Sequence, residues 1–149
     1  MKTLVWRRLD EPGMEIAHVR SLDDAKGTQI GVDYELRWEL LGDGLLLNIV
    51  GGRGAGVRLD GADFFDVFAS PFFNSLPVMR DGLLEVGAPR DYVMRFVEVP
   101  SLEVTRSEQR YEPRGNRVVG YSSGTFAADI EFDADGFVTS YDGFLERIS

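Results

Sequence analysis

No cysteine occurs in the 149-residue chain, which removes disulfides, thiolate nucleophiles, iron–sulfur clusters and every cysteine zinc site together. The single histidine, His18, removes the other usual zinc sets, so no metal site and no cofactor is expected. Lysine is nearly absent: of the 16 basic residues only Lys2 and Lys26 are not arginine, a skew ascribed to genomic base composition and given no functional weight. Positive charge is also scarce. With 25 acids the net charge is -9, so the surrounding field repels phosphate backbones and anionic lipid surfaces, and nucleic-acid binding is not expected. No apolar run approaches the ~18 residues of a membrane span. The start, Met1 to Arg8, lacks the apolar core of a signal peptide, so a cytoplasmic protein without membrane insertion is expected. What is present suffices for a core: 44% hydrophobic and 28% charged residues exclude disorder and make residues 1–149 one domain.

The dominant period is two. Val32 to Leu40 alternates apolar and charged residues without exception, the mark of a half-buried strand. Gly42-Asp43-Gly44 then supplies a hairpin turn, and Leu45 to Val50 returns. Near the end Phe126, Ala128, Ile130 and Phe132 share one face, Ala134-Asp135-Gly136 turns the chain, and Asp142-Gly143 turns it again. Between these hairpins, Val93 to Val99, Leu102 to Tyr111 and Arg117 to Ser122 are rich in β-branched and aromatic residues, with Arg114-Gly115-Asn116 as a turn. No long segment carries a helical apolar spacing; Ala62 to Ala69 comes nearest and, with Pro71 following, reads as an extended or short helical piece. The sequence therefore predicts an all-β fold with little helix: about nine to eleven strands in an antiparallel sheet rolled on itself as a partly open barrel, because a flat sheet of that width exposes long edges.

Several motifs reduce to ordinary structure. The glycines of Gly51 to Gly56 lack the Lys-Ser/Thr of a phosphate loop, since Val57-Arg58 follows, and read as a strand-connecting loop. Glu131 to Gly136 with Asp142 imitates a calcium loop, but its flanks alternate like strands, so it reads as a hairpin turn with solvated acids. His18 lies in a strand-like context without a nucleophile elbow and reads as a hydrogen-bonded structural histidine. No catalytic residue is assigned. The many rings, among them Phe64-Phe65, Phe68, Phe72-Phe73, Phe126, Tyr141 and Phe144, are mostly core, but a small rolled sheet with so many can leave an apolar cleft for an amphipathic ligand.

One segment, Asp66 through Arg80 with Ser70-Pro71-Phe72-Phe73-Asn74-Ser75-Leu76-Pro77-Val78 at its centre, resembles the Thr-Pro-x-x-Asn-Thr-Leu-Pro-Ile-Arg signature of a bacterial family named "putative glycolipid-binding", formerly a domain of unknown function. Three further stretches agree in order: Trp6 to Leu9; Val99 to Val104 with Gln109-Arg110-Tyr111; and Asp133 to Val138 with Tyr141 through Arg147. The resemblance implies a spiral β-roll similar to periplasmic lipoprotein carriers, and from that likeness of fold comes the glycolipid suggestion. The chain departs from the pattern between His18 and Asp60, where only Arg37-Trp38 matches.

Physically, Pro71 and Pro77 bracket a stiff corner in which Asn74 is expected to hydrogen-bond backbone groups, Leu76 and Val78 to point inward, and Arg80 to be available for an acid. Gln109 and Tyr111 share a face of their strand and form a candidate polar pair at a cavity mouth. Arg7, Arg8 and Arg147 are candidates for a basic rim suited to an anionic head group. The candidate ligand-binding residues are thus Asn74, Arg80, Gln109, Tyr111, Tyr141, Arg7 and Trp38. The expected function is non-enzymatic binding of a glycolipid or lipid-like small molecule. Two alternatives stand beside it: an interaction module or homo-oligomer using a sheet edge or aromatic patch, and a lipid-ester hydrolase, which requires a perturbed acid or His18 beside a hydroxyl in the cleft.

Overall fold

The computed structural model describes all residues, Met1–Ser149. Six strands form a first meander: β1 (Lys2–Arg8), β2 (Met14–Ser21), β3 (Asp24–Ile30), β4 (Glu35–Leu41), β5 (Gly44–Ile49) and β6 (Gly54–Arg58). The short strand β7 (Phe64–Val67) leads through a 3-10 turn (Pro71–Asn74) into helix α1 (Ser75–Asp81). A second meander follows: β8 (Arg90–Val97), β9 (Val104–Gly115), β10 (Val118–Ser123), β11 (Phe126–Phe132), β12 (Val138–Tyr141) and β13 (Leu145–Arg147). All 13 strands belong to one sheet, in the order β6-β5-β4-β3-β2-β1-β13-β12-β11-β10-β9-β8-β7. Every pairing is antiparallel except β7 with β8, as the α1 crossover between them requires.

This order alone forces the sheet to curl. In a flat sheet the edge strands β6 and β7 would stand about 55–60 Å apart at normal strand spacing. Only Leu59 to Asp63 joins them, a reach of roughly 22 Å. The sheet is accordingly rolled, though not closed into a barrel. The two meanders meet where β1 pairs with β13, with Trp6 opposite Arg147 and Arg8 opposite Leu145.

The strand alternation fills the inside. In β4, Leu36, Trp38 and Leu40 are buried while Arg37, Glu39 and Leu41 face out. All the buried apolar residues but Ala62 and Ala69 form one contiguous cluster of 31. The 3-10 turn plugs the roll: Phe72 and Phe73 are fully buried and lie 5.3 and 4.9 Å from the Trp38 ring. Each such buried ring contributes on the order of 1.5–3 kcal/mol by removal from water. The centre is therefore solid, and open space lies to one side of it.

Two expectations are corrected. Thirteen strands replace nine to eleven, because most inward positions of β2 and β3 (Glu15, Ala17; Ala25, Gly27, Gln29) are small or polar and mute the hydrophobic signal, and because Gly54 to Gly56, read as loop, open β6. The Pro71 to Pro77 corner is helical instead of a stiff excursion. Pro71 opens the 3-10 turn and Pro77 sits in the first turn of α1, where a missing N–H breaks no helical hydrogen bond. Gly82, at φ 65°, ends the helix in the left-handed region that glycine tolerates best. No helix is long and apolar enough to cross a membrane.

Candidate functional site

A cleft of about 560 Å³ opens on the inner face of the second meander. Its roof is the segment leaving β7, from Asp66 to Pro71 with Asn74. Its floor is the inward phase of the strands: Ser107 and Gln109 of β9, and Tyr121 and Ser123 of β10. Phe96, Phe126, Tyr141 and Phe144 add aromatic wall, and Asp10 and Asp142 stand at the rim. The rings touch one another as a continuous surface: Tyr121 to Tyr141 at 6.1 Å, Tyr121 to Phe126 at 6.0 Å and Tyr141 to Phe144 at 5.2 Å between centroids. Phe126 is 52% exposed although a large apolar side chain gains by burial, which marks it as the open lip of the cleft. A broader depression of about 820 Å³ crosses the outward faces of β2 to β6, past Lys26, Arg37, Glu39 and Asn48. Solvated charges border it and no buried polar group converges there, so the cleft is the candidate site.

At the back of the cleft Gln109 Nε2 donates to Asp66 Oδ2 at 2.8 Å and to Ser107 Oγ at 3.3 Å. Both Asp66 and Gln109 are buried. Burial pushes the Asp66 carboxyl up to about 6, against the opposing pull of the Gln109 and Val67 N–H groups. The amide nitrogen being so engaged, the buried Gln109 Oε1 has no hydrogen-bond partner. Beneath this pair Asn74 Nδ2 donates to the Tyr111 hydroxyl at 3.1 Å, and burial beside Asp66 drives that phenol well above its ordinary value.

A second polar knot lies behind the roof. Glu15, projecting inward from β2, is 1% exposed. It accepts from the Ser70 hydroxyl and, at 3.2 Å, from Trp38 Nε1. Gln29 Nε2 donates to Ser70 Oγ and to the Phe68 carbonyl, both at 2.8 Å, and the Tyr34 hydroxyl donates to Gln29 Oε1. Burial pushes the Glu15 carboxyl up to about 8. Ser70 and Glu15 make the acid–hydroxyl neighbour that a hydrolase would require. Yet Ser70 is 2% exposed and its oxygen is engaged on both sides, so the pair acts as a tie holding the cleft roof to β2 and β3.

The residues singled out from sequence divide cleanly. Asn74, Gln109 and Tyr141 line the cleft, and Tyr111 supports them from below, stacked edge-on to Tyr121 at 5.6 Å. Asn74 bonds a side chain, not the backbone groups expected of it. Trp38 lies in the solid core against Phe72, away from the cleft. Arg80 is on α1, where Nε donates to Asp81 at 3.1 Å and the guanidinium lies 4.3 Å from the Phe64 ring. The basic rim does not form. Arg7 pairs with Glu146, Arg8 with Asp10 and Glu11, and Arg147 with Asp133, because antiparallel register and tight turns bring an acid to each. The same Asp133 accepts from the N–H groups of Asp135 and Phe137, making the expected turn, and His18 Nδ1 meets Thr3 Oγ1 at 3.0 Å.

Asp66, Glu15 and Gln29 escaped the sequence reading. The signal was present for two of them: in β2 Glu15 falls in phase with Ala17 and Val19, and in β3 Gln29 falls in phase with Ala25 and Gly27. A polar residue in the inward phase of a strand needs a buried partner. Asp66 gave no such signal, since its short strand is buried on both faces.

Comparison with known proteins places this geometry. A DUF1089-family protein from Pseudomonas aeruginosa, known from its crystal structure, shares the fold with a TM-score of 0.80 at 22% sequence identity, over 96% of this chain and 95% of that one. No functionally curated protein matches the chain. The model of a protein family described as "Putative glycolipid-binding" matches residues 49–147, from the end of β5 to the last residue of β13 and so across every strand of the cleft. By that match the chain belongs to the "Putative glycolipid-binding" family.

Proposed function

We propose that the protein binds an amphipathic small molecule in this cleft without transforming it, with a polar, sugar-like head group at the Asp66–Gln109 end and an alkyl portion along Phe68, Phe126 and Phe144. One observation carries the reading: Asp66 and Gln109, both buried and the latter with an unpartnered amide oxygen, line a cleft whose exposed wall is mostly apolar and includes six aromatic rings. An apolar cavity with a few convergent polar groups is the usual form of a small-molecule site, and about 560 Å³ falls within the ordinary range of roughly 300–1,000 Å³. Sugar rings suit such walls because their C–H faces lie on aromatic rings while their hydroxyls donate to carboxylates and amides. The family description agrees with this reading.

Native mass spectrometry of protein purified from its own host, followed by lipid extraction, tests it. Recovery of an amphiphile at one per chain, with a hydroxyl-rich head, is the expected result. Repeated recovery of none, together with no binding of alkyl-chain probes by calorimetry, overturns it.

A further inference from the structure

The polar end of the cleft is chemically one-sided, and this deepens the reading above, on which it rests. Three aspartates, Asp10, Asp66 and Asp142, line the cleft, and no lysine, arginine or histidine does. The nearest guanidinium, that of Arg8, lies 4.5 Å from the Phe144 ring and 5.4 Å from that of Phe68. Its Nε and Nη2 each donate to Asp10 at 2.8 Å, and Nη2 also to Glu11 at 3.1 Å. Two carboxylates thus offset its one charge and occupy its Nε and Nη2.

The amide donors and two of the serine hydroxyls of the cleft are committed in the same way. Gln109 Nε2 is held by Asp66 and Ser107, and Asn74 Nδ2 by Tyr111. The hydroxyl proton of Ser70 goes to Glu15 and that of Ser123 to the Glu108 carbonyl. Acceptors remain: the Asp66 carboxyl, and above all the buried Gln109 Oε1, which has no partner. A buried acceptor left unsatisfied is costly, and a ligand that donates to it recovers that cost. The Tyr121 and Tyr141 hydroxyls can donate or accept, so they do not discriminate.

We propose that the closed end of the cleft selects head groups that donate hydrogen bonds and carry no negative charge, and rejects anionic ones. Two chemistries satisfy this, the hydroxyls of a neutral sugar and a primary ammonium. An anion there meets the Asp66 carboxyl in a poorly solvated space that holds no cationic side chain, with only the Ser107, Tyr121 and Tyr141 hydroxyls left to donate.

Calorimetric titration of the purified 149-residue chain at neutral pH with four octyl amphiphiles, each below its micelle-forming concentration, separates the cases: octyl glucoside, octylamine, octyltrimethylammonium and octanoate. The glucoside or octylamine, or both, should bind at least about tenfold more tightly than octanoate, and octylamine more tightly than its trimethylated analogue, which has no N–H to give. Tight glucoside with weak octylamine identifies a sugar, and the reverse an ammonium. In Asp66→Asn, octylamine's advantage over octanoate should collapse while glucoside affinity stays within about threefold. If that variant does not fold, Gln109→Met, checked by circular dichroism, should weaken both donors and leave octanoate unchanged. Octanoate binding as tightly as the donors overturns the proposal, as does trimethylammonium equalling octylamine with the glucoside unbound. Binding by none of the four is a different failure, which removes the cleft as an amphiphile site altogether.

Discussion

The Ser70 hydroxyl donates to the buried carboxyl group of Glu15 across 55 residues of sequence, fastening the roof of the cleft to the middle of β2. Because burial pushes Glu15 up to about 8 from an ordinary 4.5, the folded chain holds a proton that the unfolded chain has released. Stability from this group is full below about pH 4.5 and is lost as pH rises toward 8. Asp66, pushed up to about 6, acts with the same sign over a lower window. Glu15→Gln imitates the neutral acid without titrating. Urea unfolding followed from about pH 5 to 9 should show the variant gaining on the wild type by on the order of a few kcal/mol as pH rises, with little difference at the acid end. Parallel curves would mean that Glu15 is not held protonated.

Gly27 stands opposite Trp38 in the β3–β4 register, and a Cβ there would come within 2.4 Å of the indole. Gly27→Ala should therefore cost about 2–4 kcal/mol, the range for overpacking a filled core. In a Trp38→Leu background the same substitution should cost far less, giving a coupling energy of at least about 1 kcal/mol in the double-mutant cycle. Additive costs would place the strain elsewhere.

Trp6 Nε1 donates to the Val138 carbonyl at 2.8 Å with the indole 1% exposed, bridging β1 and β12 over the intervening β13. Trp6→Phe keeps most of the ring but leaves that carbonyl without its donor. A loss of about 1–3 kcal/mol is expected, read as a lowered urea midpoint with an unchanged slope. A changed slope would show instead that the seam between the meanders had opened in the native state.

Phe126 contributes lip, not core. Phe126→Ala should leave stability within about 1 kcal/mol yet weaken octyl glucoside binding several-fold, since the chain loses its outermost aromatic contact. Loss of stability without loss of affinity would move the alkyl path away from β11.

Much of this architecture is written in side-chain alternation. Leu36 to Leu40 states its own burial pattern, although Val32, in the same phase, lies exposed ahead of β4, and the meander from Phe126 to Ile148 states its own turns. The roll follows too, since a flat sheet of so many strands would leave long edges bare. What could not be read locally is which face of each strand meets which distant partner. Gln109 and Tyr111 were visible as a pair on one face, but Asp66 opposite them depends on a parallel pairing of β7 with β8 through a helix that two prolines disguised. The arginines near the termini misled for the complementary reason: charge is legible in sequence, and the acid that neutralises each one is brought there by strand register.

The seam between β1 and β13 also sets an order of events during synthesis. A nascent chain emerging amino end first can assemble β1 to β6 hairpin by hairpin, but the outer edge of β1 has no partner until the final strand leaves the ribosome. Over that interval the molecule carries a bare β ribbon, with the Trp6 indole still lacking its carbonyl, and it is then most open to pairing with a neighbouring copy.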